Sequence, residues 1–260
     1  MSTSQASDHD SKQDLINYVL RLGDDALILG HRISEWVSRG PFLEEDIALG
    51  NVALDYIGRS RMCYNYAAEL SGEGKTEDDF AYLRDERQFQ NFLINELPRG
   101  DFAYTIARQL FVDVFNKHYL SALLQSKDQT LAAIAAKGIK ETQYHLRRSR
   151  EWTLRLGDGT DESHQRMQTA IDELWGYTHE IFEHDDIEQR LIDAGIAVDA
   201  AAFQKQWLAD VSAILAEATL TVPDAEWAVR GGREGYHTEH LSLLLTEMQF
   251  VYRAYPNAKW

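Results

Sequence analysis

The chain has 260 residues, four prolines, a single cysteine and a formal net charge of −16. One cysteine excludes an intramolecular disulfide and a metal cluster built on cysteine ligands, and the acidic balance argues against a nucleic-acid-binding protein. No stretch approaches 18 uncharged apolar residues, and the polar N-terminus has no apolar run of the kind found in signal peptides. We therefore expect a cytoplasmic protein without a membrane span.

Helical periodicity runs through nearly the whole chain. Ser11 to Asp14 has the pattern of a capping box before the first helix, and Gly40-Pro41 ends that helix. The second helix is apolar on most sides, which predicts burial, and its Gly50 and Gly58 are expected to allow close helix contact. The predicted helices span about 15–36, 44–70, 76–97, 101–124, 128–156, 161–183, 185–194, 199–220 and 236–255.

These elements predict an all-α fold. We find no convincing strand, internal repeat or linker in the sequence. Residues 1–11 are predicted to be a disordered polar tail, and residues 12–260 to be a single helical domain whose last helices are added to a bundle formed by the first four.

Two of the predicted helices carry an incomplete di-metal motif. Four-helix carboxylate di-metal proteins use Glu-x-x-His, because residues three apart on a helix project to the same side. In the first helix, Asp55 is followed three residues later by Gly58, which stands where the imidazole should be. In the second helix, Thr142 stands three residues before His145, where the carboxylate should be. The nearest acid, Glu141, lies one residue earlier and is displaced by roughly 100° around the helix. The positions of this vestigial site are Asp55, Gly58, Asp113, Glu141 and His145.

Two interpretations of these positions stay open at this point. A working site needs about four carboxylates and two imidazoles, and Asp24 or His31 on the first helix could contribute to one. The alternative, which we favour, is that Asp55, Asp113 and His145 are buried and satisfied by hydrogen bonds or ion pairs. We then expect no catalytic residue, no metal ligand and no cofactor in this chain.

Two further clusters each have a structural and a functional interpretation. Basic residues on the helix 128–156 either form a solvated face or contact an anionic partner, which would be a carboxylate-rich subunit or coenzyme A. The candidate contacts are Lys137, Lys140, Arg147 and Arg148. His237 and His240, three residues apart, could share a metal, but capping by Thr238 at a helix start explains the segment better.

Several segments resemble the C subunits of bacterial ring-1,2-phenylacetyl-CoA epoxidases, which are multicomponent monooxygenases of phenylacetate degradation. The resembling segments are 20–24, 46–55, 66–74, 84–89, 101–109, 140–146 and 237–241. Together they extend from about residue 15 to residue 260, nearly the whole chain. The order and the spacing of these segments agree with the family, as does their helical character.

The resemblance implies a ferritin-like bundle and a non-catalytic structural subunit. Such a subunit pairs with and stabilises a homologous A subunit, which holds the di-iron centre and performs the epoxidation. B and D subunits and a reductase, the E subunit with FAD and an iron–sulfur cluster, complete that system. The alternatives are an active ferritin-like di-iron oxidase with its own metal, and a helical scaffold unconnected with any oxygenase.

Overall fold

The chain folds into helices joined by short irregular segments. The computed structural model describes the backbone of residues 2–224, 227–256 and 258, and their side chains from Ser11 onward. The α-helices of this part are α1 (Ser2–Ser34), α2 (Leu43–Ser71), α3 (Glu77–Tyr82), α4 (Leu93–Glu96), α5 (Phe102–Leu123), α6 (Gln129–Gly157), α7 (Asp161–Trp175), α8 (Asp186–Asp193), α9 (Gln204–Glu217) and α10 (Glu239–Ala254). Within the described residues there is no strand, which confirms the all-α prediction.

Four long helices form the bundle that positions the candidate site. α1 packs along α2 and α5 packs along α6, each pair joined by a short connection that makes its helices antiparallel. The tyrosine hydroxyls of Tyr18 on α1 and Tyr119 on α5 lie 2.6 Å apart and link the two pairs. The later helices cover this core, with α7 and α9 on α5 and α6, α8 on α1, and α10 on α3. This is an all-α, ferritin-like bundle with additional C-terminal helices. None of the described helices is both long and apolar enough to cross a membrane.

Side-chain caps set most of the helix starts where the sequence predicts them. Asp101 accepts a hydrogen bond from the Tyr104 amide at the start of α5, and Asp128 caps α6 in the same way. Thr76 forms a capping box at α3, and Thr238 caps α10. These side chains satisfy amides that have no partner inside the helix.

The predicted start of the first helix is wrong. α1 is already helical from Ser2, so Ser11 lies within it and does not cap it. The side chains of residues 1–10 are outside the described part of the chain. The division into a polar tail over 1–11 and one domain over 12–260 stays a prediction.

The segment from residue 83 to residue 92 also differs from the prediction of a helix over 76–97. α3 ends at Tyr82, and helical structure before α4 is limited to a 3₁₀ turn at Glu86–Gln88. Two carboxylates of α1 hold this segment: Asp24 accepts a hydrogen bond from the Gln90 amide at 2.8 Å, and Asp25 accepts one from the Phe92 amide at 2.7 Å. These tertiary hydrogen bonds replace the helical ones that local periodicity predicts.

α2 is less buried than its composition predicts. One side of it packs into the core, but Leu43, Ile47 and Leu54 are 70%, 55% and 65% exposed. A helix that is apolar nearly all round is normally covered on all sides. The described part of this chain leaves one apolar side of α2 uncovered.

Candidate vestigial di-metal site

The predicted site positions lie between α2 and α6, which contact each other at several points along their lengths. The imidazole Nε2 of His145 on α6 lies 2.9 Å from the Asp55 Oδ2 on α2. One end of α2 is joined to α6 by a buried ion pair between Glu45 and Arg148. Further along α2, Arg59 contacts the start of α6. The two helices are therefore antiparallel, and they bring Asp55 and His145 together.

His145 is held as a neutral imidazole. Its side chain is fully buried and stacks on the Tyr56 ring, with ring centroids 5.3 Å apart. Burial lowers the pKa of the imidazole to about 4, outweighing the neighbouring Asp55 carboxylate. At neutral pH the Nε2–H then donates to Asp55, and Nδ1 has no hydrogen-bond partner among the described residues. Asp55 itself is 36% exposed, so it is less buried than expected.

Asp113 belongs to a separate hydrogen-bonded group in the middle of the bundle. The Tyr56 hydroxyl donates to Asp113 Oδ1 at 3.1 Å, and the Ser149 hydroxyl donates to Oδ2 at 2.8 Å. Burial raises the pKa of this carboxyl to about 7, and the two hydrogen bonds only partly offset that rise. Asp113 is therefore buried and satisfied, as expected, by partners other than Asp55 and His145.

The Arg59 guanidinium lies beside Glu141, another position of the predicted site. Arg59 Nη2 donates to the Gly138 carbonyl and to Thr142 Oγ1, each at 3.3 Å, and lies 3.8 Å from Glu141 Oε2. On the other side, Lys137 Nζ is 3.6 Å from Glu141 Oε1. The Glu141 carboxylate thus faces two cations, while burial still raises its pKa.

Gly58 faces the same cationic surroundings. A Cβ placed on it would meet Lys137 Nζ at 3.9 Å, so a lysine ammonium stands near the space that an imidazole at this position would use. The role of Arg59 was missed in the sequence. The signal was its place four residues after Asp55, on the same side of α2.

The other candidate ligands lie elsewhere. Asp24 is fully buried in an ion pair with Arg84, and His31 lines a groove between α1 and α10. His237 Nδ1 lies 2.7 Å from the buried Glu96 carboxylate, which favours the structural interpretation of that segment. Among the residues that the structure describes, no group of three or more His, Cys, Asp or Glu side chains could hold a metal ion.

The basic candidates differ in exposure: one is buried and three are exposed. Arg148 is 8% exposed and pairs with Glu45, so it faces the inside of the protein rather than a partner. Lys137, Lys140 and Arg147 are exposed on α6, and the Arg147 guanidinium lies 5.6 Å from the centre of the Tyr144 ring. Their contact with an anionic partner stays a prediction.

Replacing the buried imidazole tests whether the Asp55–His145 pair is structural. We expect His145→Ala to lower the free energy of unfolding by about 1–3 kcal/mol, because it removes the packing on Tyr56 and leaves Asp55 without its donor. Urea unfolding at pH 7 measures the change, with exposed Gln143→Ala on the same helix as the control. Equal midpoints for His145→Ala and the wild type would contradict a structural role.

Comparison with known proteins identifies a family and a relative. The family model described as phenylacetic acid catabolic protein matches residues 1–260. The chain is also similar to the C subunit of the 1,2-phenylacetyl-CoA epoxidase of Escherichia coli (strain K12). The two are 50% identical over 246 residues, which cover 95% of this chain and 99% of that protein. The chain belongs to the phenylacetic acid catabolic protein family.

Proposed function

We propose that this chain is the non-catalytic structural subunit of a phenylacetyl-CoA epoxidase, where it pairs with and stabilises the catalytic A subunit. The similarity to the C subunit of the E. coli enzyme over nearly both whole chains supports the assignment to such a complex. The observation that carries the non-catalytic role is the pair of cations, Arg59 and Lys137, at the carboxylate that a metal would need.

The donor set does not fit a di-iron centre. Each metal of such a centre requires an imidazole beside carboxylates. Gly58 supplies no side chain, however, and among the described side chains His145 is hydrogen-bonded to Asp55 alone. The Arg59 guanidinium neutralises Glu141 from inside the helix pair, where a divalent cation would be repelled by it. The Asp113 carboxyl, whose pKa is raised to about 7, accepts hydrogen bonds from the hydroxyl groups of Tyr56 and Ser149.

The space beside this site also supports a structural role. A cavity of about 60 Å³ lies next to Tyr56 and Arg59, and it is lined mainly by apolar side chains such as Leu29, Val112 and Leu123. Binding sites for substrates are typically about 300–1,000 Å³. This cavity is therefore smaller than a typical substrate site.

We extend the proposal to the rest of the assembly. The A subunit would hold the di-iron, the E reductase would hold FAD and iron–sulfur, and B and D subunits would complete a cytoplasmic complex. The exposed cations Lys137, Lys140 and Arg147 are available for the carboxylates of a neighbouring subunit or for coenzyme A phosphates.

Reconstitution tests the proposal. The chain and the A subunit are purified separately and together, and epoxidation of phenylacetyl-CoA is measured with the reductase, reductant and oxygen. We expect no turnover by the chain alone, poor activity or stability of the A subunit alone, and co-elution of the two with an interface of about 2,000 Å² or more. Iron should follow the A subunit.

Two results would contradict the proposal. The first is a fully active A subunit that elutes apart from this chain at micromolar concentration. The second is about two irons in the isolated chain, a di-iron complement, that are lost in Asp55→Ala and His145→Ala. That second result would favour an active di-iron oxidase.

A further inference from the structure

The uncovered side of α2 forms one surface with the neighbouring side of α6. Ile47, Gly50, Leu54 and Gly58 follow each other at spacings of three and four residues, which places them on one side of α2. Lys137 of α6 lies next to Gly58, with its Nζ 3.9 Å from a Cβ placed there, and the exposed residues of α6 continue from Lys137. We call this surface the α2–α6 face and define it by Ile47, Gly50, Leu54, Gly58, Lys137, Lys140, Tyr144 and Arg147.

The apolar part of this face is large for an exposed helix. Leu54 is 65% exposed and Ile47 is 55% exposed on α2, while Tyr144 on α6 is 40% exposed. Contiguous exposed apolar side chains mark surfaces that other molecules cover. A partly exposed tyrosine among them is typical of the residues that anchor protein interfaces.

The two glycines of the face are not explained by packing inside the chain. A Cβ on Gly58 would meet only Lys137 Nζ, and one on Gly50 would meet only Val37 Cγ2, each at 3.9 Å. By contrast, a Cβ on Gly23 of α1 would lie 2.4 Å from the Tyr64 ring. Glycine inside a helix costs about 1 kcal/mol relative to alanine. Gly50 and Gly58 therefore leave a gap in the surface on each side of the exposed Leu54, and packing inside the described part of the chain requires neither gap.

The charge of the face points to the chemistry of its occupant. Among the described residues, neither Lys140 nor Arg147 forms an ion pair, and Lys137 shares Glu141 with Arg59. These cations stand out on a chain whose net charge is −16. An occupant with carboxylates opposite α6 would neutralise them and would be steered to this face.

A second exposed apolar surface, on α10, lacks these features. Leu243 and Phe250 are 66% and 65% exposed there. However, α10 contains no glycine, and its Arg253 is already paired with Asp85. α10 therefore lacks both the glycine gaps and the unpaired Lys or Arg of the α2–α6 face.

We propose that the α2–α6 face is the docking surface for a helix of the catalytic subunit, and this inference rests on the proposed function. The partner helix would bury Ile47 and Leu54, place side chains over Gly50 and Gly58 on either side of Leu54, and present carboxylates to Lys140 and Arg147.

Filling the gap at Gly58 tests this contact. A Cβ on Gly58 meets no backbone atom of a neighbouring element within 4 Å, so the isolated Gly58→Leu variant should fold with an unchanged or raised melting temperature. Its dissociation constant for the A subunit should rise on the order of 100-fold. Ala213→Leu, an exposed alanine on α9, is the size-matched control and should bind like the wild type. Leu243→Asp tests the α10 surface and should also bind normally.

Reversing a charge tests the chemistry of the occupant. Lys140→Glu should slow association with the A subunit by about 10-fold at low salt and weaken its salt dependence. Lys205→Glu on α9, also exposed, should change neither. A folded Gly58→Leu that binds with wild-type affinity, or loss of binding in Leu243→Asp alone, would overturn the docking surface. Failure of the wild-type chain to bind the A subunit would instead overturn the proposed function.

Discussion

Asp24→Ala is expected to lower the free energy of unfolding by about 3–5 kcal/mol, the largest stability effect that we predict for a single substitution. Asp24 is fully buried and accepts hydrogen bonds from the Tyr64 hydroxyl at 2.6 Å and from the Gln90 amide at 2.8 Å, besides its ion pair with Arg84. Its loss leaves the Arg84 guanidinium, which is 11% exposed, without its carboxylate. Urea denaturation measures the change.

Two controls separate the stranded charge from general damage to the fold. Asp24→Leu combined with Arg84→Met removes both charges, and it should recover much of the loss, because apolar pairs often replace buried ion pairs without net cost. Glu217→Ala breaks an exposed pair with Arg150 and should cost no more than about 1 kcal/mol. If the double variant is less stable than Asp24→Ala, the explanation by a stranded charge is wrong.

Asp113→Asn is expected to change how stability depends on pH. The folded state holds the carboxyl of Asp113 with a pKa of about 7, against 3.8 in its ordinary state. Between these two values the folded protein binds a proton that the unfolded chain has released, so the wild type loses stability as pH rises across this window. The asparagine variant lacks this loss. Its stability relative to the wild type should therefore rise by about 2–4 kcal/mol from pH 4 to pH 7.

Denaturation at several pH values tests this prediction, with each variant compared with the wild type at the same pH. That comparison cancels the contributions of the groups that both proteins share. One of these groups is His145, whose lowered pKa makes stability rise with pH, opposite to the effect of Asp113. Glu151→Gln on the same helix as His145 is exposed and serves as the control, with a difference that should stay flat across the window. A flat difference for Asp113→Asn as well would mean that Asp113 is ionised in the folded protein.

Buried acids perform two different tasks in this bundle. Asp24 is paired with a cation and anchors the irregular segment before α4, whereas Asp113 is buried among hydroxyl groups and is partly protonated near neutral pH. Neither arrangement resembles a metal ligand set, in which carboxylates are ionised and converge on one point. Both support a bundle whose interior is structural.

The sequence by itself located most of the helices and showed that the metal motif is incomplete. Caps such as Asp101 and Asp128 act on amides three residues away, and an apolar period is visible within one helix, so local reasoning locates α5 and α6 correctly. The missing imidazole at Gly58 is likewise a local fact.

Only the tertiary structure decided which partners surround these positions and which surfaces remain uncovered. Arg59 meets Thr142 across 83 positions of sequence, and Tyr56 meets Asp113 across 57. Such partners are selected by how helices pack, and no periodicity encodes them. The same reason explains two of the wrong predictions. The segment over 83–92 is not one continuous helix, because carboxylates of α1 bind its backbone amides. One side of α2 stays uncovered, because no neighbour in the described part of the chain packs against it.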